Sequence, residues 1–397
     1  MKVLWLSPWF PYPLENGSKI RIFHLMRSLA KHHSISLISF VRSGEQVQPE
    51  GLKDICVSVD KIAWRPFNAK GMKSLVGYFF PTPRSIFSTY TVEMDRVIAQ
   101  KVHDGYPDLI VASEIPTANY LTRYPNSLKI FEDVELLSFW DAWMNAHSRL
   151  DRLRRYLTLV KSKRYLSRLL RNFQAATVVS QEEKSLIQEL TPDPQKIFTF
   201  PNGVDVQTLH PGLALPQPGC LIYPGSPTYS ANYDAISFFL AEIFPKISTV
   251  MPDIKFRITG STQGVDLSKL SLTAQVTLTG YVQNIHREIS QAWVCVVPLR
   301  QGGGSRLKIL EAMALGTPVV STSKGAQGIQ VTPGKDILIA DDPIQFANET
   351  LRLLNNANLR ATIATNARKL VEHYYDWDKI GEEFCQLVNH LHANRSY

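Results

Sequence analysis

Gly302-Gly303-Gly304-Ser305-Arg306-Leu307-Lys308-Ile309-Leu310-Glu311-Ala312-Met313-Ala314-Leu315-Gly316-Thr317-Pro318-Val319-Val320 is the stretch on which the reading of this chain turns. It comes after an apolar run, Val294-Cys295-Val296-Val297-Pro298, that reads as a buried strand. Three glycines then leave no side chain between the backbone and a ligand. Ser305 is a good N-cap, and Arg306 to Leu315 reads as a helix with Ile309, Leu310 and Met313 on its inner face. Gly316 and Pro318 end it, and Val319-Val320 begins another strand. A strand, a glycine loop and a helix N-terminus present free N–H groups and a positive dipole end to an anion. Arg306 and Lys308 oppose that dipole. Two cations beside free N–H groups make sense if a diphosphate sits there. Glu311, one turn further in, can accept paired hydrogen bonds from a ribose diol. The competing reading is a plain i,i+3 ion pair between Lys308 and Glu311 on a solvated helix.

Composition sets the bounds. A chain of 397 residues predicts two domains of ordinary size. With 44% hydrophobic and 20% charged residues it can build sizeable cores and is not a disordered chain. No run of 18 apolar residues occurs, so no membrane-spanning helix is expected. The N-terminal Met1 to Leu6 run resembles a signal start. It is short, however, and Pro8, Pro11 and Pro13 break the chain just after it, so it reads as the first strand. Cys56, Cys220, Cys295 and Cys385 are far apart, which fits a reducing cytoplasm and predicts neither a disulfide framework nor a zinc site. The net charge of +8 favours an anionic partner: a nucleotide, a nucleic acid or an acidic lipid.

The same rhythm of strand, loop and helix runs through the chain. Lys2–Leu6, a helix over Lys19–Lys31 and Ile35–Val41 form a βαβ unit, which implies a parallel sheet covered by helices. Loops at the C-terminal ends of such strands form the ligand crevice. Strands over 108–113 and 129–135 come next, the second ending in Glu132, Asp133 and Glu135. The aromatic-dense stretch 75–90 reads either as a helix and loop packed on the domain or as a surface for a lipid-linked acceptor. Residues 149–171 contain nine Lys or Arg against Asp151 alone, with leucines at helical spacing. This is a long domain helix with a solvated basic face or a basic amphipathic helix for an anionic membrane. No nucleic-acid motif accompanies it, so nucleic acid is not expected as a partner. Residues 206–219 read as a linker. Strands at 220–226, 255–261 and 276–282 then end in Gly225-Ser226, Gly260 and Gly280, converging with Gly302 on one sheet edge. Asp376 or Asp378 of Asp376-Trp377-Asp378 reads as a helix cap and not a metal ligand, and no metal site is expected.

Gly304-Ser305-Arg306 through Val319-Val320 resembles the donor-site signature of glycosyltransferase family 4, retaining enzymes of the GT-B fold. Pro201-Asn202-Gly203-Val204-Asp205 is similar to the junction between that family's two domains. The resemblance implies an α/β protein of two doubly wound Rossmann-like domains facing across a cleft. An acceptor-side domain over 1–205 would precede a donor domain over 206–375, with a helix over 376–397 crossing back. It implies a metal-independent hexosyltransferase-type enzyme without cofactor. Its nucleotide-diphosphate sugar, UDP- or GDP-linked, would be a substrate. The acceptor would be a saccharide or lipid-linked saccharide in polysaccharide, glycolipid or other glycoconjugate synthesis. The setting would be the cytoplasm or, through 149–171, the inner face of the membrane.

The resemblance also assigns roles. Gly225 and Ser226 would lie near the diphosphate. Gly280, Tyr281 and Val282 would lie beside the base. Gly260, Gly303, Gly304, Ser305, Leu307 and Glu311 complete the donor site. Asn16-Gly17 stands where the family has a glycine loop, near the diphosphate and the acceptor. Asp133 is the candidate beside the transferred sugar. Two features depart from the pattern: Gly303 occupies the place of a first glutamate, and no Arg or Lys occurs over 227–244. Arg306 and Lys308 are therefore expected to neutralise the leaving phosphate. The missing glutamate keeps open a silent nucleotide-sugar binding module; a hydrolysing nucleotide-sugar epimerase shares the fold, but its carboxylate set is not recognisable in this sequence.

Overall fold

The computed structural model describes residues 1–146, 148–302 and 306–394. Gly303, Gly304 and Ser305, expected at the donor site, lie outside the described residues. The chain divides into a first unit, Met1–Asn202 with the segment from Asp378 onward, and a second unit, Gly203–Trp377.

The first unit holds a parallel sheet of β1 (Lys2–Ser7), β2 (Ser34–Val41), β3 (Cys56–Ala63), β4 (Leu109–Ser113), β5 (Lys129–Glu132), β6 (Ala175–Val178) and β7 (Ile197–Thr199). Their order is β3-β2-β1-β4-β5-β6-β7. The central strands are continuous apolar runs because helices cover both faces: Leu109–Ser113 is buried at every position. Edge strand β3 has no clear mark in the sequence. Its face is largely open, so Cys56–Ala63 keeps Asp60 and Lys61 and lacks the apolar run of a central strand. Helix α1 (Gly17–Ala30) starts two residues earlier than predicted, because Asn16 caps it through a 3.0 Å bond from the Lys19 N–H. Helix α2 (Arg149–Leu170) is a single long helix.

The second unit holds β8 (Cys220–Pro224), β9 (Lys255–Thr259), β10 (Val276–Gly280), β11 (Val294–Val297), β12 (Val319–Ser321) and β13 (Leu338–Ile339). Their order is β10-β9-β8-β11-β12-β13, again all parallel. The predicted helix over 232–247 is α3 (Ser230–Phe238), a wider π turn over Phe239–Ile243, and a further helix from Phe244. Pro245 explains the widening, since it lacks an N–H and clashes with the preceding turn. Helix α4 (Leu307–Ala314) comes after the glycine loop, with Arg306 at the N-cap position. The predicted linker over 206–219 is in part core of this unit. Val206 and Leu209 are buried, and Arg368 donates to the carbonyls of Val206, Leu209 and Ala314. The last helix, α5 (Trp377–Ala393), lies against α1 of the first unit, where Gly381 leaves room for Ser28. Asp378, in its first turn, pairs with Arg27 and Lys31.

In both sheets the order of strand addition reverses beside the first strand, between β1 and β4 and between β8 and β11. In an open parallel sheet, the crevice at such a reversal is where ligands bind.

Candidate functional site

In the second unit the strand ends are joined backbone to backbone. Gly260, at φ +105°, donates its N–H to the Gly280 carbonyl at 2.8 Å. A Cβ on Gly260 would lie 2.5 Å from Ser226 Cα, so only glycine fits. Ser226 Oγ donates to the Ser261 carbonyl at 2.6 Å. Gly302, at φ +96°, leaves the space in which a Cβ would meet that of Ala231 at 2.9 Å, at the start of α3. Gly225, Ser226, Gly260 and Gly280 are thus brought to one edge, and Gly302 is seated beside the helix that comes after β8. Tyr281 is 84% exposed beyond Gly280, and Val282 is half-buried.

Lys308 reaches this edge from α4. Its Nζ lies 2.7 Å from where a Gly225 Cβ would stand. Tyr223 Oη (3.0 Å) and Asn232 Oδ1 (3.1 Å) are its hydrogen-bond partners, and it sits 4.2 Å from the Tyr223 ring centroid. Among the described residues no carboxylate pairs with it. Burial pushes Lys308 down to about 8, and neighbouring Arg306 adds to the effect. The i,i+3 pair with Glu311 is not what forms: Glu311 Oε1 lies 3.5 Å from His286 Nε2 instead. Arg306 is buried, with Nη2 donating to the Gly302 (2.8 Å) and Lys324 (3.1 Å) carbonyls, so it ties Gly302 to Lys324. Leu307 is half-buried against the core of this unit. Tyr223 and Asn232 join the site without a mark in the sequence. Neither carries a charge, and only the fold brings them to Lys308.

The equivalent edge of the first unit is acidic. Register pairs Ser113 of β4 with Glu132 of β5, so Glu114 and Asp133 leave adjacent strand ends together. Both adopt left-handed backbone, φ +59° and +57°, a conformation costly for residues with a Cβ. Glu132 is fully buried and pairs with Arg21 at 2.5 Å, and Arg21 also donates to the Phe200 carbonyl at 2.7 Å. Asp133 is fixed by Thr177, whose Oγ1 accepts its N–H at 3.1 Å. Buried Glu183 accepts the N–H groups of Leu136 and Leu137 and holds the chain beyond Asp133. Burial raises Asp133 well above the usual carboxylate range; Arg21 opposes this, and Glu132 and Glu114 reinforce it.

Glu114 is a site residue that the motif reading does not reach. Burial pushes it up to about 7, against a hydrogen bond from Ser18 and with the nearby Glu132 and Glu135 carboxylates adding. Trp9 Nε1 donates to it at 3.1 Å. Its signal is present in the sequence, since a carboxylate directly after a buried parallel strand belongs at the crevice. Glu135 is exposed, and Asn16 and Gly17 sit at the opening of α1, where Asn16 is the cap and Gly17 the first helical residue.

Residues 219–356 match the family model described as glycosyl transferases group 1. A GDP-mannose-dependent monoacylated alpha-(1-6)-phosphatidylinositol monomannoside mannosyltransferase from Corynebacterium glutamicum is 25% identical over 161 residues, 38% of this chain and 42% of that protein. The chain spans less than half the length of the curated relatives it matches. Sucrose-phosphate synthase from Thermosynechococcus elongatus superposes with TM-score 0.74 at 18% identity over 100% of both chains. Anabaena HepE, in complex with UDP and glucose, superposes with TM-score 0.66 at 15% identity over 98% of this chain and 100% of its own. The chain therefore has the GT-B fold, two parallel-sheet α/β domains, and its second domain carries a match to the group 1 glycosyltransferases.

Proposed function

We propose that this protein is a metal-independent, retaining glycosyltransferase that moves a sugar from a nucleotide-diphosphate sugar to an acceptor hydroxyl. The observation that carries this reading is Lys308, an ammonium held at the switch point of the second sheet, among the described residues, by hydrogen bonds to neutral groups alone. A diphosphate beside the Gly225 loop would supply the missing counter-charge. The glycosyltransferase match over 219–356, the GDP-mannose-dependent relative and the UDP-bound neighbour support a nucleotide-sugar donor.

In this reaction the bond from the anomeric carbon to the diphosphate oxygen breaks, and one to the acceptor oxygen forms on the same face. The acceptor proton passes to the leaving phosphate. Lys308 stabilises the charge growing on that phosphate, and Arg306 holds the chain at Gly302 through its carbonyl. Asp133 and Glu114 form the edge offered to the acceptor, a saccharide or lipid-linked saccharide of a glycoconjugate pathway. No helix among the described residues is long and apolar enough to cross a membrane. The widely spaced free cysteines fit a reducing compartment, and we place the reaction in the cytoplasm or at the inner face of the membrane.

The test is thermal unfolding with UDP, GDP or ADP for the parent and for Lys308→Ala. A nucleotide at about 100 times its dissociation constant adds about 2.7 kcal/mol. Stabilisation of the parent by one nucleotide, lost in the variant, supports the donor site and names the base. No stabilisation by any of the three overturns it. Binding with no transfer to any acceptor would leave a silent nucleotide-sugar module, and nucleotide release with an epimerised free sugar would leave a hydrolysing epimerase.

A further inference from the structure

Of the 23 strongly exposed large apolar side chains among the described residues, twelve lie in two stretches, 67–80 and 144–157. The fold of the first unit places these stretches on either side of one cavity of about 980 Å³. The size suits a single organic ligand, at the upper end of about 300–1,000 Å³. Its walls include Phe67, Phe79, Phe80, Phe139, Leu157 and Val160. Lys161 on α2 donates to the Gly77 carbonyl at 2.9 Å and ties the two walls together. Arg84 fixes the loop wall through the Ser74 (3.0 Å) and Ala69 (2.8 Å) carbonyls and its stacking on Tyr78. The cavity is therefore built, not a chance gap.

Its rim is cationic. Arg164 and Arg168 line it, are exposed, and have no side-chain partner among the described residues. Residues 65–90 and 149–171 together hold thirteen Lys and Arg and one acid, Asp151, an excess larger than the +8 of the whole chain. Asp151 is itself paired with Arg154 and Arg155. Beside this charge stand Phe79 at 91%, Leu150 at 82% and Met72 at 80% exposure. Contiguous apolar exposure of this kind marks an interaction surface. Aliphatic side chains such as Met72, Leu150, Leu153 and Leu157 offer no stacking face to a nucleobase, whereas hydrocarbon accepts them.

We propose that this face binds an anionic phospholipid leaflet, with one lipid chain in the cavity, its phosphate on Arg164 and Arg168, and Met72, Phe79 and Leu150 seated in the interface. The surface is independent of the donor edge and does not rest on the transfer reaction. The test is co-sedimentation of the full chain with phosphatidylcholine vesicles, with and without phosphatidylglycerol. The parent should bind the anionic vesicles at least about tenfold more tightly, with the gain shrinking as salt rises.

Three variants separate the parts. Arg164→Glu/Arg168→Glu should abolish the preference for anionic lipid. Met72→Ser/Phe79→Ser and the cavity-filling Leu157→Trp should each weaken binding about tenfold with the charge intact. Each variant should keep the parent's thermal unfolding and its response to nucleotide, which separates lost docking from lost fold. Equal binding to neutral and anionic vesicles overturns the proposal. So does full binding by both apolar variants, and a single-stranded oligonucleotide that binds as tightly as the vesicles would assign the face to nucleic acid.

Discussion

At the switch point of the first sheet the strand ends and their loops carry Trp9, Glu114, Glu132 and Asp133; at that of the second they carry Gly225, Gly260, Gly280 and Gly302. Both sheets share the order 3-2-1-4-5-6, to which the first adds a seventh strand, and the chemistry is opposite. In the second unit the rim is backbone, with one ammonium brought in from a later helix. In the first, carboxylates crowd at strand ends, and burial holds Glu114 and Asp133 above the usual carboxylate range. One scaffold thus carries a glycine edge with a buried ammonium in one unit and a cluster of acids in the other. The difference lies in whether carboxylate side chains or glycines occupy the positions at the ends of the strands.

The contrast fails first if the acidic edge is not held by charge. Arg21→Ala leaves Glu132 fully buried without its partner. Loss of one member of such a pair should cost about 3–5 kcal/mol in denaturant unfolding at neutral pH; a cost below about 1 kcal/mol would mean that other contacts shape this edge.

Lys308→Ala tests the opposite edge. On the proposed reaction, loss of this ammonium should raise the transfer barrier by about 2–4 kcal/mol, measured as turnover at saturating donor. Its titration sharpens the point. The cation is present below about 8 and is lost as pH rises through that value. Nucleotide affinity of the parent should therefore fall above pH 8, whereas Lys308→Arg should give a flat profile to higher pH.

Glu114→Gln probes how strongly the acids crowd. The carboxyl, normally near 4.5, titrates near 7 in the fold, so the native state holds a proton that the unfolded chain has released. The stability this gives is full below 4.5 and lost as pH rises through 7. Relative to the parent, the amide should gain about 2–3 kcal/mol above pH 7 and nothing at pH 4. Equal pH profiles for the two proteins would show Glu114 to be well solvated.

The smallest effect belongs to Asn16→Ala. It removes the side chain that caps α1, for about 1 kcal/mol in thermal unfolding. A larger loss, or one seen in turnover and not in stability, would give this loop a part in binding.

The fold is legible where burial is two-sided. Val294–Val297 and Leu109–Ser113 announce themselves as apolar runs, and Gly225 after β8, Gly260 after β9 and Gly280 at the end of β10 mark strand ends. Strand β3 is hidden because an edge strand is open to solvent. The 206–219 stretch misleads because its prolines and glycines suggest a free linker, whereas Arg368, far along the chain, binds its carbonyls. The site is half legible. Lys308 and the glycines follow from local pattern, but Tyr223 and Asn232 meet Lys308 only through the tertiary fold. In α2 the leucine spacing is helical, as the pattern predicts, yet Leu150, Leu153 and Leu157 face outward while Leu159, Leu166 and Leu169 are buried. Spacing fixes a face of the helix and says nothing of where along its length the domain ends.

The left-handed backbone at Glu114 and Asp133 bears on how this chain can diverge. Such a conformation is tolerated best by Gly, Asn and Asp and worst by β-branched residues. At both positions an exchange of carboxylate for asparagine is therefore cheap for the main chain, whereas valine or isoleucine would be resisted whatever the selection on chemistry. The acidic edge can be neutralised by single substitutions without disturbing the sheet beneath it. A lineage with this scaffold could change what the first unit accepts long before it changed its fold.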